Sequence, residues 1–119
     1  MDFKAGLEEL VSGVEGAIGA GLVGLDGLVI DQVSGGRDFD LTVAGAEYAT
    51  IIKNAFKATQ GFGLGRTGEI LIAAEKATLV VMPIGEEYFA ALVLEPAGNL
   101  GRGRLELKRH VQAFERALA

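Results

Sequence analysis

The chain has 119 residues, of which 50% are hydrophobic, and it contains two prolines and no cysteine. This length and composition predict one compact domain over residues 1–119, with a core that needs neither disulfides nor a thiolate-bound metal. The net charge of −5 argues against nucleic acid as a partner, because phosphate binding depends on clustered Lys and Arg.

The N-terminal segment carries acidic side chains where a secretory signal would carry basic ones, and it has no apolar core. The longest uncharged run, Gly16–Leu25, has ten residues, whereas a membrane span needs about 20. We therefore expect a cytoplasmic protein that does not insert into a membrane.

The first predicted element is an amphipathic helix that follows Asp2, a typical N-cap residue. Its apolar side chains recur at helical spacing from Phe3 to Val14. Two strands follow, and the dipeptide Asp26-Gly27 between them predicts a two-residue type I′ turn, because it tolerates positive φ angles. Glycines in the first of these strands, Gly19, Gly21 and Gly24, indicate that another backbone, expected to be a helix, approaches the strand closely.

A second, longer helix is predicted over about Leu41–Gln60, with Asp40 as its N-cap and Gly61 as its end. Its broad apolar face includes both Ile51 and Ile52. The opposite face is only weakly charged and contains several small residues.

The segment Gly68–Glu95 predicts three consecutive strands, Ile70–Ala74, Leu79–Ile84 and Tyr88–Leu94, joined by short polar turns. These strands do not alternate between apolar and polar residues, so both faces of their sheet must be covered. The first of the three is expected to lie at an edge of the sheet.

Asn99 caps a last predicted helix, which is apolar on its inner side. Its outer side is basic on an otherwise acidic chain and carries Arg102, Lys108, Arg109 and Arg116. One interpretation is an ordinary solvated helix face, on which lysine and arginine are favourable near the C-terminus of the helix. Contact with an acidic partner is the alternative interpretation.

The predicted element order is α-β-β-α-β-β-β-α. Five strands spaced at about 4.8 Å make a sheet roughly 24 Å wide, whereas one helix covers roughly 10–12 Å. Three helices cannot cover both faces of such a sheet. We therefore expect a dimer, in which a second copy covers the remaining apolar surface.

The whole chain resembles the roadblock / dynein light chain family, and among its members the bacterial regulators of a gliding-motility GTPase. The resembling segments are GAIGAGLVGLDGLVID, LTVAGAEYATIIKNAFKATQ, EILIAAEKATLVVMPIGEEYFAALVL and NLGRGRLELKRHVQAF. The resemblance implies an α+β fold of the roadblock/profilin type, with a five-stranded antiparallel sheet between the long helix and the two terminal helices. It also implies homodimers in which the long helices pair and the strand at Gly68–Ala74 joins its twin.

Two sets of interface residues are predicted. The dimer interface combines the long helix with the edge strand: Ala46, Thr50, Lys53, Glu69, Ile70, Leu71, Ile72 and Ala73. Contacts with a protein partner are predicted at Glu47, Asn54, Lys57, Arg37 and Arg66. Small side chains on the long helix suit close approach by either a second copy or another protein.

No catalytic, cofactor or metal site is predicted. Gly19–Gly24 and Gly63–Gly68 match G-x-G-x-x-G, but a phosphate-binding loop must follow a strand and open a helix, and neither segment does so. His110 is the only histidine, which excludes a histidine-rich metal site. Neither of the two serines belongs to a nucleophile motif, and Glu86-Glu87 is interpreted as charged protection beside apolar strands.

The resemblance implies a non-enzymatic dimeric module that regulates or scaffolds a small Ras-like GTPase, while the nucleotide and magnesium belong to that partner. An arginine finger from Arg37 or Arg66 is a further possibility to test. Two alternatives come from other classes. One is a small-molecule sensor domain, which the scarcity of polar core residues disfavours, and the other is a structural dimerisation subunit of a larger complex.

Overall fold

The secondary structure follows the predicted order in a computed structural model that describes residues 2–35 and 40–118. The elements are α1 (Phe3–Ser12), β1 (Ala17–Gly24), β2 (Val29–Ser34), α2 (Leu41–Gly61), β3 (Ile70–Ala73), β4 (Thr78–Ile84), β5 (Tyr88–Leu94) and α3 (Leu100–Leu118). The predicted α+β fold class is confirmed.

The strands form one antiparallel sheet in the order β2-β1-β5-β4-β3. The inner strand β4 is apolar on both faces, as its lack of alternation predicted. Val80 and Met82 join a core cluster with residues of α1 and α3, whereas Leu79 and Val81 join a second cluster with residues of α2. The terminal helices therefore cover one face of the sheet and α2 covers the other.

The turn between β1 and β2 differs from the predicted two-residue turn. Gly24 N–H donates a hydrogen bond to the Leu28 carbonyl (2.8 Å), and Gly27 N–H donates to the Gly24 carbonyl (2.9 Å). Gly27 has a φ of 94°, but no described non-glycine residue has a positive φ, so Asp26 lacks the conformation that a type I′ turn requires. The loop is a three-residue turn that ends in a left-handed glycine.

The ends of α2 are set by local hydrogen bonds. Asp40 is the N-cap, as predicted, and its carboxylate accepts a hydrogen bond from Thr42 N–H (2.9 Å). The helix ends at Gly61, within one residue of the predicted Gln60, but the left-handed glycine that follows it is Gly63, with a φ of 71°. Gly63 N–H donates to the Gln60 carbonyl (2.9 Å), which closes the last turn.

The close approach of a helix to β1 is confirmed at Gly21. A Cβ atom at Gly21 would lie 2.2 Å from Leu41 Cδ1 at the start of α2. A second close approach joins the loops that follow α1 and β5. Gly16 has a φ of 84°, and a Cβ atom there would lie 2.4 Å from Gly98 Cα. These two backbones are in direct contact, and only glycine suits the conformation of Gly16 without strain.

Replacing Gly16 by Ala is expected to lower the free energy of unfolding by about 2–4 kcal/mol, because it strains a left-handed backbone and pushes two backbone segments apart. Chemical denaturation measures this change. The control is Gly61→Ala, where a Cβ atom would meet nothing within 4 Å, and it should keep the stability or raise it by up to about 1 kcal/mol. Equal stability of the two variants would contradict this account.

Candidate protein-protein interface

β3 lies at one edge of the sheet, as predicted, and pairs only with β4. Ile70 and Ile72 are half-buried against the core cluster beneath α2. Leu71 and Ala73 point to the opposite face, where both are exposed, Leu71 to 42%. The edge strand is thus apolar on both sides and has no charged residue to discourage pairing with another strand.

The hydrogen-bond alternation of β3 identifies the amides that face outward. Ala74 N–H donates to the Ala77 carbonyl (2.8 Å), and the donors directed at a neighbouring antiparallel strand belong to every second residue. Ile72 N–H therefore points toward β4. The N–H groups of Leu71 and Ala73 point toward the open edge, where they are available to another strand.

Pro83 explains why β3 does not extend over the whole segment Gly68–Ala74 that the family resemblance implied for the edge strand. If the β3–β4 register continued, Gly68 would lie opposite Pro83 in a hydrogen-bonded pair, and proline has no N–H to donate. β3 therefore begins at Ile70, and Glu69 precedes the strand. The Glu69 carboxylate forms an ion pair with Arg104 of α3, and this hydrogen bond raises the pKa of Arg104.

The outer face of α2 carries the predicted residues Glu47, Thr50, Lys53, Asn54 and Lys57, all of them exposed. The Thr50 hydroxyl donates a hydrogen bond back to the Ala46 carbonyl (3.0 Å). Ala46 is also exposed, but a Cβ atom at Gly27 would lie 2.9 Å from its Cα. Part of the predicted small-residue surface therefore already contacts the β1–β2 turn.

Lys53 lies at the end of the sheet where two hairpin turns meet. It lines an open groove of about 400 Å³ together with Asp26, Glu86 and Glu87. Three carboxylates and one ammonium group give this groove a negative balance. Lys53 therefore points toward the hairpin turns rather than toward the β3 edge.

Ile51 was expected on the buried face of α2, and this prediction is wrong. Ile51 is 50% exposed, whereas Ala49 and Ile52 are buried at 1% and 0%. At about 100° per residue, Ile51 lies on the flank of the helix opposite to Lys53. It is an exposed apolar side chain on α2 that the sequence did not single out, because the predicted apolar arc was too wide.

Arg37 and Arg66 are the two arginines that were predicted to contact a partner from loops. Arg37 lies outside the described residues. Arg66 is exposed in the connection between α2 and β3, and it lines an open groove of about 470 Å³ with Glu86 among its neighbours. The same connection exposes Phe62 to 83% and Leu64 to 74%, so it presents two large apolar side chains to solvent.

The part of the chain that the structure describes has neither a metal-binding cluster nor a membrane-spanning helix. No group of three or more His, Cys, Asp or Glu residues could hold a metal ion. No helix there is long and apolar enough to cross a membrane.

Comparison with protein families gives a match to the Roadblock/LC7 domain over residues 5–94. The chain belongs to this family. A search of curated proteins found no match.

Solved structures of Roadblock/LC7 proteins share the fold. MglC from Myxococcus xanthus is 29% identical, with a TM-score of 0.72 over 98% of this chain and 99% of that chain. A Roadblock/LC7 domain from Streptomyces avermitilis is 21% identical, with a TM-score of 0.87 over 99% and 98%. MglB in a tetrameric arrangement is 24% identical, with a TM-score of 0.86 over 95% and 85%. The predicted family resemblance is confirmed.

In this Roadblock/LC7 chain, Asp40 and Gln32 fix the start of α2 against β2. Asp40 Oδ1 accepts hydrogen bonds from Gln32 Nε2 (2.8 Å) and Thr42 N–H (2.9 Å). Gln32 Oε1 accepts one from Leu41 N–H (2.8 Å). The hydrogen bond from Gln32 is the largest cause of a lowered pKa of Asp40, and the hydrogen bonds from Thr42 lower this pKa further. Each of them stabilises the charged carboxylate.

The lowered pKa of Asp40 predicts a specific pH dependence. Its contribution to stability is complete above the unfolded pKa of about 4 and is lost as the pH falls through the lower folded value. We expect Asp40→Asn to show a shallower decline in melting temperature than wild type between about pH 5 and about pH 2.5. Gln32→Met, which removes the main donor but keeps the carboxylate, should give an intermediate slope. Identical slopes for all three chains would contradict this role.

Proposed function

We propose that this chain is a non-catalytic, dimeric regulatory or scaffold module whose partner is a small Ras-like GTPase. The observation that carries the proposal is its membership of the Roadblock/LC7 family over residues 5–94. Similarity to MglC and MglB supports a regulatory or scaffolding role. Nucleotide and magnesium belong to the partner in this proposal, and this chain contributes binding surface.

The proposed homodimer forms through the β3 edge and the long helix. Antiparallel pairing of two β3 strands satisfies the outward N–H groups of Leu71 and Ala73 and joins the two sheets into one. A second α2 then covers the exposed Ile51 flank. The tetrameric arrangement of an MglB structure supports self-association as a property of this kind of protein.

Ala73→Pro tests the edge. It removes an outward N–H without removing an internal hydrogen bond, so it should convert the dimer into a folded monomer. Sedimentation velocity at micromolar concentration measures the change. Ala73→Thr is the matched control, because threonine keeps the N–H and suits a strand, and it should stay dimeric. A monomeric wild type, or a dimeric Ala73→Pro variant, would contradict the edge pairing.

The proposed partner surface is the outer face of α2, around Glu47, Asn54 and Lys57 with Lys53 at its margin. These side chains are exposed. Lys53 and Lys57 lie on the side of α2 away from Ile51, so the proposed dimer leaves them accessible, whereas Glu47 and Asn54 are neighbours of Ile51 on the helix and lie at the border of the dimer contact. Ras-like GTPases differ between nucleotide states in their switch loops. A regulator that contacts those loops must therefore bind one nucleotide state more tightly than the other.

Binding to a GTPase is tested by titration calorimetry with a Ras-like GTPase of the same organism, chosen by genomic adjacency to this gene, and loaded with GDP or with a non-hydrolysable GTP analogue. The double variant Lys53→Glu/Lys57→Glu should weaken binding at least about tenfold, because it reverses two charges on the proposed surface. Lys76→Glu, at the exposed turn between β3 and β4, is the control and should bind like wild type. Absence of binding to either nucleotide state would overturn the GTPase proposal.

The same experiment separates the remaining roles. Equal affinity for both nucleotide states would favour a scaffold, and a small molecule retained through purification would favour the sensor alternative. If the chain accelerates GTP hydrolysis, we propose that it orders the partner's switch loops. Acceleration retained in both Arg37→Ala and Arg66→Ala would exclude an arginine finger from these loops.

A further inference from the structure

The outer surface of α1 and α3, called here the α1/α3 face, separates opposite charges in a way that the proposed function does not use. Residues 2–15 contain four acidic side chains and one lysine, which give a net charge of −3. α3 contains five basic and two acidic side chains, which give +3. Two of these side chains pair with carboxylates outside the two helices, Arg104 with Glu69 and Lys4 with Asp31. The remaining charges make the face acidic along one helix and basic along its neighbour.

α1 and α3 lie side by side and run antiparallel. The rings of Phe3 and Phe114 are 5.9 Å apart, edge to face. At the other end of the pair, the Glu15 carbonyl accepts a hydrogen bond from Asn99 N–H (2.9 Å). Residue numbers therefore rise along one helix as they fall along the other, and the acidic and basic stripes are parallel over the length of α1.

The basic stripe is only partly neutralised within the chain. Arg102 and Arg109 share one carboxylate, that of Glu106, at 3.3 and 2.9 Å. Arg116 makes no ion pair with any residue in the described part of the chain. Leu105, 44% exposed, lies on the same stripe, because it precedes Arg109 by four residues. An exposed leucine among surplus arginines is a surface suited to a contact.

The acidic stripe is open as well. Glu8, Glu9 and Glu15 are exposed, and so are the small residues Ala5 and Ser12 beside them. Among these carboxylates, that of Glu9 lies 3.5 Å from His110 Nε2 of α3. Small side chains keep this stripe low, so another helix can approach it closely. Its shape and charge thus complement those of α3.

We propose that the α1/α3 face binds the α1/α3 face of a second copy, with α1 of each copy lying over α3 of the other. A two-fold axis in the plane of contact, parallel to the helices and midway between them, produces this arrangement. It brings Arg109 toward Glu8 and Arg102 toward Glu15 of the second copy, and symmetry forms each contact twice. Leu105 then lies over the low stripe of α1.

A second copy matches this face better than an acidic protein does. A uniformly acidic partner on α3 would also come near the carboxylates of α1, because packed helices are only about 8–10 Å apart. Charges at that distance are not fully screened, since the Debye length is about 8 Å at physiological ionic strength. A partner must therefore be basic where it lies over α1 and acidic where it lies over α3. A second copy related by the two-fold axis presents this pattern, because its α3 lies over α1 and its α1 lies over α3.

The contact uses neither β3 nor the outer face of α2, so it adds to the dimer proposed above. We expect species larger than that dimer in sedimentation velocity at about 25 mM salt, and their loss by about 500 mM salt. Reversal of α3, by Arg109→Glu/Arg116→Glu, should abolish these species, and so should reversal of α1, by Glu8→Lys/Glu15→Lys. Circular dichroism establishes that each variant remains folded.

Mixing the two reversed chains provides the decisive measurement. One variant is acidic on both helices and the other basic on both, so a 1:1 mixture should restore the salt-sensitive larger species. Glu86→Lys/Glu87→Lys, at an exposed turn, makes the same change in net charge as the α1 reversal and should associate like wild type. Absence of the larger species in wild type, or failure of the mixture to restore them, would overturn the proposal and leave the basic stripe to an acidic partner. Repeating the mixture with Ala73→Pro in both chains tests the α1/α3 contact in the absence of the proposed β3 pairing.

Discussion

The central strands of this sheet are apolar on both faces, and the need to cover both faces governs the rest of the structure. Leu92 and Leu94 of β5 lie in the cluster beneath α1 and α3, whereas Ala91 and Val93 lie in the cluster beneath α2. Each face therefore requires its own layer of helix. Burial of apolar surface contributes about 25 cal/mol per Å², so a strand exposed on either side would weaken the domain.

The two faces are covered unequally. Two antiparallel helices lie on one side, whereas α2 alone lies on the other and packs mainly on β1 and β2. Ile70 and Ile72 of β3 remain half-buried at the margin of the α2 layer, and Ile51 is exposed on a flank of the helix. This shortage of cover supports the proposed dimer and is the reason for placing the second copy at β3 and the Ile51 flank of α2.

The outline of the fold could be predicted because it depends on local patterns. The order of elements, the caps Asp2 and Asp40, and the opposite directions of Val80 and Val81 follow from periodicity and from backbone hydrogen-bonding needs. The errors occurred where tertiary contact decides. The β1–β2 loop has three residues, with its glycine beneath α2, and Ile51 is exposed because the contact between helix and sheet is narrower than the apolar arc.

The candidate interface was less predictable than the fold, for the same physical reason. Whether Ala46 is available to a partner depends on its contact with Gly27, which brings together residues distant in sequence. The position of Glu69 depends on Pro83. Because proline has no N–H, the next hydrogen-bonded pair cannot form, and the ladder ends at the pair Ile70–Val81. Sequence patterns identify an apolar edge strand, but only the register shows which of its amides face outward.

Charge is distributed differently on the two helical layers, and this difference has a consequence for assembly. On the outer face of α2, acidic and basic side chains are mixed, so the proposed contact there depends on individual charges opposite the partner rather than on a large charge of one sign. On the α1/α3 face, opposite charges are separated into two stripes, which favours a symmetric contact that weakens with salt. Because the sheet lies between the two layers, a contact on one does not obstruct the other. Self-association through α1 and α3 is therefore compatible with a partner bound at α2, and ionic strength would affect the first much more than the second.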